Sequence, residues 1–143
     1  MANLINTFSK LNKAEWNATG KTLDEGVNCF SLLVNFLNET GHNIPFDNLP
    51  EGYTYENIKA LWEEDDKKAV KVMTEYLLQW GYEKDKKDMR IGDILVLENN
   101  KGKYFPAIYG GNGKMVTMIA EHGCYHSKLA NYKIHGVYRG YKV

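Results

Sequence analysis

The stretch Asp93-Ile94-Leu95-Val96-Leu97-Glu98-Asn99-Asn100-Lys101-Gly102 is where the chain changes its hydrophobic period. Four apolar residues in succession, closed by Asn-Asn-Lys-Gly, read as a short strand entering a hairpin turn, because Asn and Gly accept the positive φ such turns require. Turn chemistry then recurs at short intervals. Tyr104 to Tyr109 reads as a second strand, broken or edged at Pro106, which has no N–H to give a ladder. Gly110-Gly111-Asn112-Gly113 is another tight turn, Met115 to Ile119 a third strand, and Tyr132 to Val137 a further one.

Upstream of Met89 the period is helical. Cys29, Leu32, Leu33, Phe36 and Leu37 fall at i, i+3, i+4, i+7 and i+8, one apolar stripe on a helix from about Cys29 to Thr40. Asn28 stands where an N-cap belongs and Gly41 where a C-cap glycine belongs. Ile44-Pro45 to Pro50-Glu51-Gly52 reads as an irregular connection. Thr54 to about Trp80 reads as two helices or one broken helix. Its stripes are Tyr55, Ile58, Leu61, Trp62 and then Ala69, Val70, Met73, Tyr76, Leu77, Trp80, stopping at Gly81. Glu83 to Asp88 reads as a charged link, and Leu4, Ile5, Phe8 and Leu11 as a weaker helix near the start. Helices first and a hairpin-connected sheet second predict an α+β fold, with N-terminal helices packed on a small antiparallel sheet. A single domain over residues 1–143 is expected, its helical half about 1–82 and its sheet half about 89–143.

Lysine plus arginine number 18 and aspartate plus glutamate 18, for a formal net charge of +0. That balance offers no basic surplus, so neither a nucleic acid nor an anionic membrane is expected as a partner. No run of 18 apolar residues occurs, and the start, Met1 to Thr7, lacks the charged-then-apolar pattern of a signal peptide. The expectation is a protein made and used, or assembled, in the cytoplasm. Cys29 and Cys124 lie far apart with no CxxC spacing, which is no disulfide framework and leaves a single bridge open. Mixed blocks such as Glu63 to Lys68 and Glu83 to Arg90 read as solvated surface and linker.

Three segments in order carry a resemblance. Gly26-Val27-Asn28-Cys29-Phe30-Ser31-Leu32-Leu33 resembles the nucleophile segment of NlpC-type peptidases, in which a short polar lead-in opens a helix with cysteine in its first turn. Arg90-Ile91-Gly92-Asp93-Ile94-Leu95-Val96 looks like that family's Gly-Asp strand, and Phe105-Pro106-Ala107-Ile108-Tyr109-Gly110-Gly111-Asn112-Gly113-Lys114 like its His-Val-Gly-Ile-Tyr-x-Gly-Asn-Gly-Lys segment. The resemblance implies a papain-like, NlpC-type fold. It also implies Cys29 as nucleophile, a histidine on the facing strand as base, a third polar group to orient it, and peptidoglycan stems as substrate. A cysteine at a helix N-terminus lies near unsatisfied N–H groups and the positive end of the helix dipole, which favour the thiolate.

The chain departs from the family at the positions that matter. Phe105 stands at the histidine position and cannot accept a proton; Asn28, Phe30 and Ser31 replace the usual acid, serine and glycine; the third polar position falls among Val116, Thr117 and Met118. Cys29 also lies on the apolar stripe of its own helix, which suits a buried, inert thiol as well as a reactive one. The expectation is therefore a non-catalytic structural or interaction protein, similar to a branch of the superfamily found among tail, neck or assembly proteins of tailed bacteriophages. Its partners would be other virion proteins. The alternative is a cysteine peptidase or amidase acting on peptidoglycan, with Cys29 as nucleophile and His122 as a substitute base. A ligand-binding module using the old cleft stays open beside these. His122, Cys124 and His126 supply at most three ligands with no second cluster, so that segment reads as a polar loop, and no metal or cofactor is expected.

Overall fold

A computed structural model describes residues 4–46 and 49–141. Residues 1–3, on which the reading of the chain start partly rests, lie outside it, as do 47–48 of the expected connection and 142–143. Helices α1 (Leu4–Lys13), α2 (Cys29–Glu39), α3 (Tyr55–Glu64) and α4 (Asp66–Leu77) form the first half, with a two-strand ribbon β1 (Lys21–Thr22) and β2 (Gly26–Val27) before α2. The second half is β3 (Gly81–Lys84), β4 (Ile94–Glu98), β5 (Tyr104–Gly111), β6 (Lys114–Ile119), β7 (Gly123–Lys128) and β8 (Lys133–Gly140). These six pair antiparallel in the order β3-β8-β4-β5-β6-β7. The architecture is α+β, helices on an antiparallel sheet.

Local chemistry accounts for the helix ends. Asn28 caps α2 by accepting from the backbone N–H of Phe30 and of Ser31, each at 2.9 Å, while Ser31 Oγ accepts from Asn28 N at 2.9 Å. The helix stops at Thr40, and Gly41 follows at φ 106, a conformation glycine takes without Cβ strain. The break between α3 and α4 falls at Asp65, whose backbone ends one helix and whose carboxylate accepts from Lys68 N at 3.2 Å to begin the next.

The run Ile94 to Leu97 is apolar throughout because the sheet is covered on both faces. Successive strand residues point to opposite sides. Ile94, Ile108 and Met118 pack with Leu33, Phe36, Met73 and Tyr76 of the helices, while Leu95, Leu97, Ala107, Met115 and Val137 form a second cluster. Each fully buried Leu, Ile, Val, Phe or Met among them contributes about 1.5–3 kcal/mol relative to exposure.

The structure departs from the sequence reading in several places. Pro106 does not lie at an edge: β5 runs unbroken between β4 and β6, with Pro106 opposite Val96. Its pairing with β6 starts at Ile108, opposite Val116, and beside Pro106 the partner is a side chain, Thr117 Oγ1, which donates to Pro106 O at 2.8 Å. The charged link read from Glu83 begins inside β3, an edge strand pairing with β8, where charged residues suit a solvated sheet margin. Gly81 opens β3 rather than only ending a helix; a Cβ there would meet Arg139 O at 2.5 Å. The polar loop from Glu121 is a strand from Gly123, the opposite edge strand β7. Ile5 is 82% exposed and stands off the stripe of α1.

The Gly-Asp segment is held by a buried pair. Asp93, fully buried, accepts from Arg139 Nε at 2.7 Å and Nη2 at 2.8 Å and from Arg90 N at 2.9 Å, and Arg139 Nη2 also donates to Asp88 O at 2.8 Å. This ties the entry of β4 to the end of β8.

Candidate functional site

Cys29, the first residue of α2, opens on a groove of about 870 Å³ between the helical half and the sheet. The helical side is formed by Trp16, Asn28, Cys29 and Trp62, and the sheet side by Tyr104 and Phe105 of β5 and Met115 and Thr117 of β6. Thus the structure brings together on one groove three positions the sequence singled out: Cys29, Phe105 and Thr117.

The thiol is not activated. The backbone N–H groups of Cys29 and Phe30 pull its pKa down as the helix terminus should, but desolvation by burial is larger and pushes it up to about 12. The expected depression is reversed because the lost hydration outweighs the two backbone N–H groups. The altered lead-in has its own structural task. Beyond capping α2, Asn28 Nδ2 donates to Ala18 O and to the Tyr55 hydroxyl, both at 2.9 Å, and that hydroxyl donates to Gly20 O. Asn28 and Ser31, read against the family as departures, lock the start of α2 to the preceding ribbon and to α3.

The sheet side offers no base. Phe105 packs edge-on to Tyr132, ring centroids 5.3 Å apart at 77°. The Thr117 hydroxyl is engaged by Pro106 O. None of the four histidines lines the groove. His42 is buried against the end of α2, its Nδ1 3.0 Å from Leu37 O. His122 sits exposed in the turn between β6 and β7, and the groove is lined there by Ala120 and Tyr125 instead. His126 lies on β7 with its Nε2 2.7 Å from Asn12 Oδ1. His135 comes nearest in kind: its ring stacks on Tyr104 at 4.4 Å, and its Nε2 lies 2.6 Å from Glu98 Oε1, so it backs a groove residue without facing the groove. The ionic side chains that do line the groove include Lys59 and Glu63, paired across one turn of α3 at 4.0 Å.

The sequence reading missed most of the groove's aromatic lining. Trp62 carried a signal, as the last member of a helical stripe that stays only partly buried. Trp16 carried none, lying in an irregular segment joined to Val27 by a single bridge. Both cysteines are free thiols, which answers the open question of a bridge. Among the described residues no three His, Cys, Asp or Glu side chains converge as metal ligands, and no helix is long and apolar enough to cross a membrane.

No protein-family profile matches this chain, and no curated protein matches it in sequence. Solved structures match it in shape. The NlpC/p60 domain of the peptidoglycan hydrolase SagA is 15% identical and superimposes with a TM-score of 0.54 over 94% of this chain and 92% of that one. An NlpC/p60 family protein from Bacillus cereus is 21% identical, with a TM-score of 0.60 over 98% of this chain but only 39% of its own length. The chain thus has the papain-like, NlpC-type fold that its three sequence segments suggested.

Proposed function

We propose that this protein is a non-catalytic NlpC-like interaction protein, in which the groove beside Cys29 serves recognition rather than hydrolysis. One observation carries the reading: the groove onto which the thiol opens contains no imidazole. A cysteine peptidase needs a base within reach of the sulfur, and the thiolate it uses must form near neutral pH. Here Phe105 and Thr117 occupy the corresponding strands and the thiol is held up at about 12. The groove is instead rich in aromatic side chains and amides, the kind of lining that binds. The setting we propose is a bacteriophage virion, as a tail, neck or assembly component bound to other virion proteins; this rests on the sequence resemblance and on the balanced charge.

The competing reading is a cysteine peptidase or amidase acting on peptidoglycan, with Cys29 as nucleophile; SagA, similar in fold, is a peptidoglycan hydrolase. The pH dependence of Cys29 alkylation, in wild type and His122→Ala, separates the two. An inflection well above ~8.5 in both proteins supports a binding role. A thiol depressed by about two units that rises when His122 is removed would establish a thiolate–imidazolium pair and overturn our reading.

A further inference from the structure

A second cluster of nucleophilic and ligating side chains lies away from the groove. Strand alternation on β7 turns Tyr125 toward the groove and leaves Cys124 and His126 together on the other side, against α1. Asn12 of α1 meets them there. Its Oδ1 lies 2.7 Å from His126 Nε2 and 3.6 Å from Cys124 Sγ, and the sulfur lies 3.9 Å from the same Nε2.

A thiol, an imidazole and an amide also make a peptidase triad, but this arrangement is not one. In a triad the orienting group holds the imidazole nitrogen remote from the thiol, leaving the near one free to take its proton. Here Asn12 engages the very nitrogen that faces the sulfur. What the three atoms share is a common centre. An ion at ordinary zinc distances, about 2.3 Å from sulfur and 2.0–2.1 Å from nitrogen and oxygen, would subtend angles of about 125°, 110° and 80° between these donors. The angles sum to less than a full circle, so the ion stands off the donor plane and keeps a fourth, outward position open. Asn12 and His126 are exposed, which gives an entry path.

We propose that Asn12 Oδ1, Cys124 Sγ and His126 Nε2 form a binding site for a borderline-soft divalent cation of the zinc class, clamping α1 onto edge strand β7. The sequence reads His122, Cys124 and His126 as a polar loop with no metal expected; the fold leaves His122 in the turn and brings Asn12 to Cys124 from 112 positions away. On binding, the thiol gives up its proton to solvent and sulfur donates a lone pair to the ion. The imidazole moves its proton to Nδ1, freeing Nε2 to ligate, and the Asn12–His126 pair opens by about 0.6 Å toward a tetrahedral bite.

Cobalt(II) titration of the purified chain tests this, since a Co–thiolate bond gives a near-ultraviolet charge-transfer band and zinc displaces it. We expect one Co²⁺ per chain with that band, unchanged in Cys29→Ser and abolished in Cys124→Ser. Affinity should fall tenfold or more in His126→Gln and rise in Asn12→Asp, which replaces a neutral oxygen by a carboxylate without changing the fold. Zinc should also raise the melting temperature of wild type and not of Cys124→Ser. Absence of the charge-transfer band, or its survival in Cys124→Ser, would overturn the proposal. So would weaker binding in Asn12→Asp than in wild type.

Discussion

Replacing Phe105 by histidine tests the central argument about the groove. With the Cys29 thiol held at about 12, its thiolate fraction at pH 8 is about one in ten thousand, against about one in ten for an unperturbed thiol at 9.0. Phe105 and Cys29 line the same groove, and an imidazole at residue 105 that comes within about 4–6 Å of the sulfur lowers the thiol pKa by about 1–3 units. Cys29 alkylation at pH 8 should therefore speed up by about tenfold to a thousandfold. The assay is the rate of iodoacetamide labelling of Cys29 from pH 5 to 11, followed by mass spectrometry in a Cys124→Ser background. Phe105→Leu serves as control, because either substitution loses the edge-on contact with Tyr132, worth about 0.5–1.5 kcal/mol. Equal rates in the histidine and leucine variants across the pH range would refute the placement of Phe105 at the base position. A wild-type inflection near or below ~8.5 would refute the argument from burial.

Three further outcomes test the scaffold. Arg139→Ala leaves the Asp93 carboxylate fully buried without its guanidinium and should cost about 3–5 kcal/mol in urea unfolding; Arg139→Lys should recover only part, because an ammonium cannot make the two parallel bonds seen at 2.7 and 2.8 Å. Asn28→Ala removes the α2 cap, by itself worth about 0.5–2 kcal/mol, together with both bonds donated by Nδ2; Asn28→Asp keeps the cap oxygen but sets a carboxylate oxygen against Ala18 O and should stay less stable than wild type. Stability should fall at alkaline pH. Cys29, Cys124, Tyr55 and Tyr138 all have folded pKa values raised, chiefly by burial, so at high pH the unfolded chain binds fewer protons than the folded one and ΔG of unfolding declines as pH rises. Their contribution is complete below the ordinary thiol and phenol range and is lost as pH climbs from about 9 toward 12. Urea midpoints that stay level or rise between pH 8 and 11 would contradict it.

The sequence was most legible where one local rule decides. The cap at Asn28, the glycine after α2, the change of period at Ile94 and the turns at Asn99 and Asn112 each depend on a few neighbouring residues and on backbone sterics. Asp93 was visible as a motif member, but its partner Arg139 was not, since 46 residues separate the two halves of that ion pair. β3 and β7 were read as link and loop for a similar reason. They are edge strands, one face of each ladder is open, and their polar composition carries little of the alternation that marks a covered strand. Pro106 misled because a proline in a central strand is tolerated only where the adjoining ladder stops, and where a ladder stops is a property of the neighbouring strand.

By itself, then, the sequence determined the succession of a helical half and a sheet half, the α+β class and the position of Cys29 at a helix start. Those follow from periodicity, capping and residue identity, all short-range. The tertiary structure alone decided that the Cys29 thiol is raised rather than lowered, that no histidine reaches the groove, and that Asn12 meets Cys124 and His126. Each of these depends on which distant side chains exclude water from, or deliver polar atoms to, one point in space, and chain spacing holds no record of that.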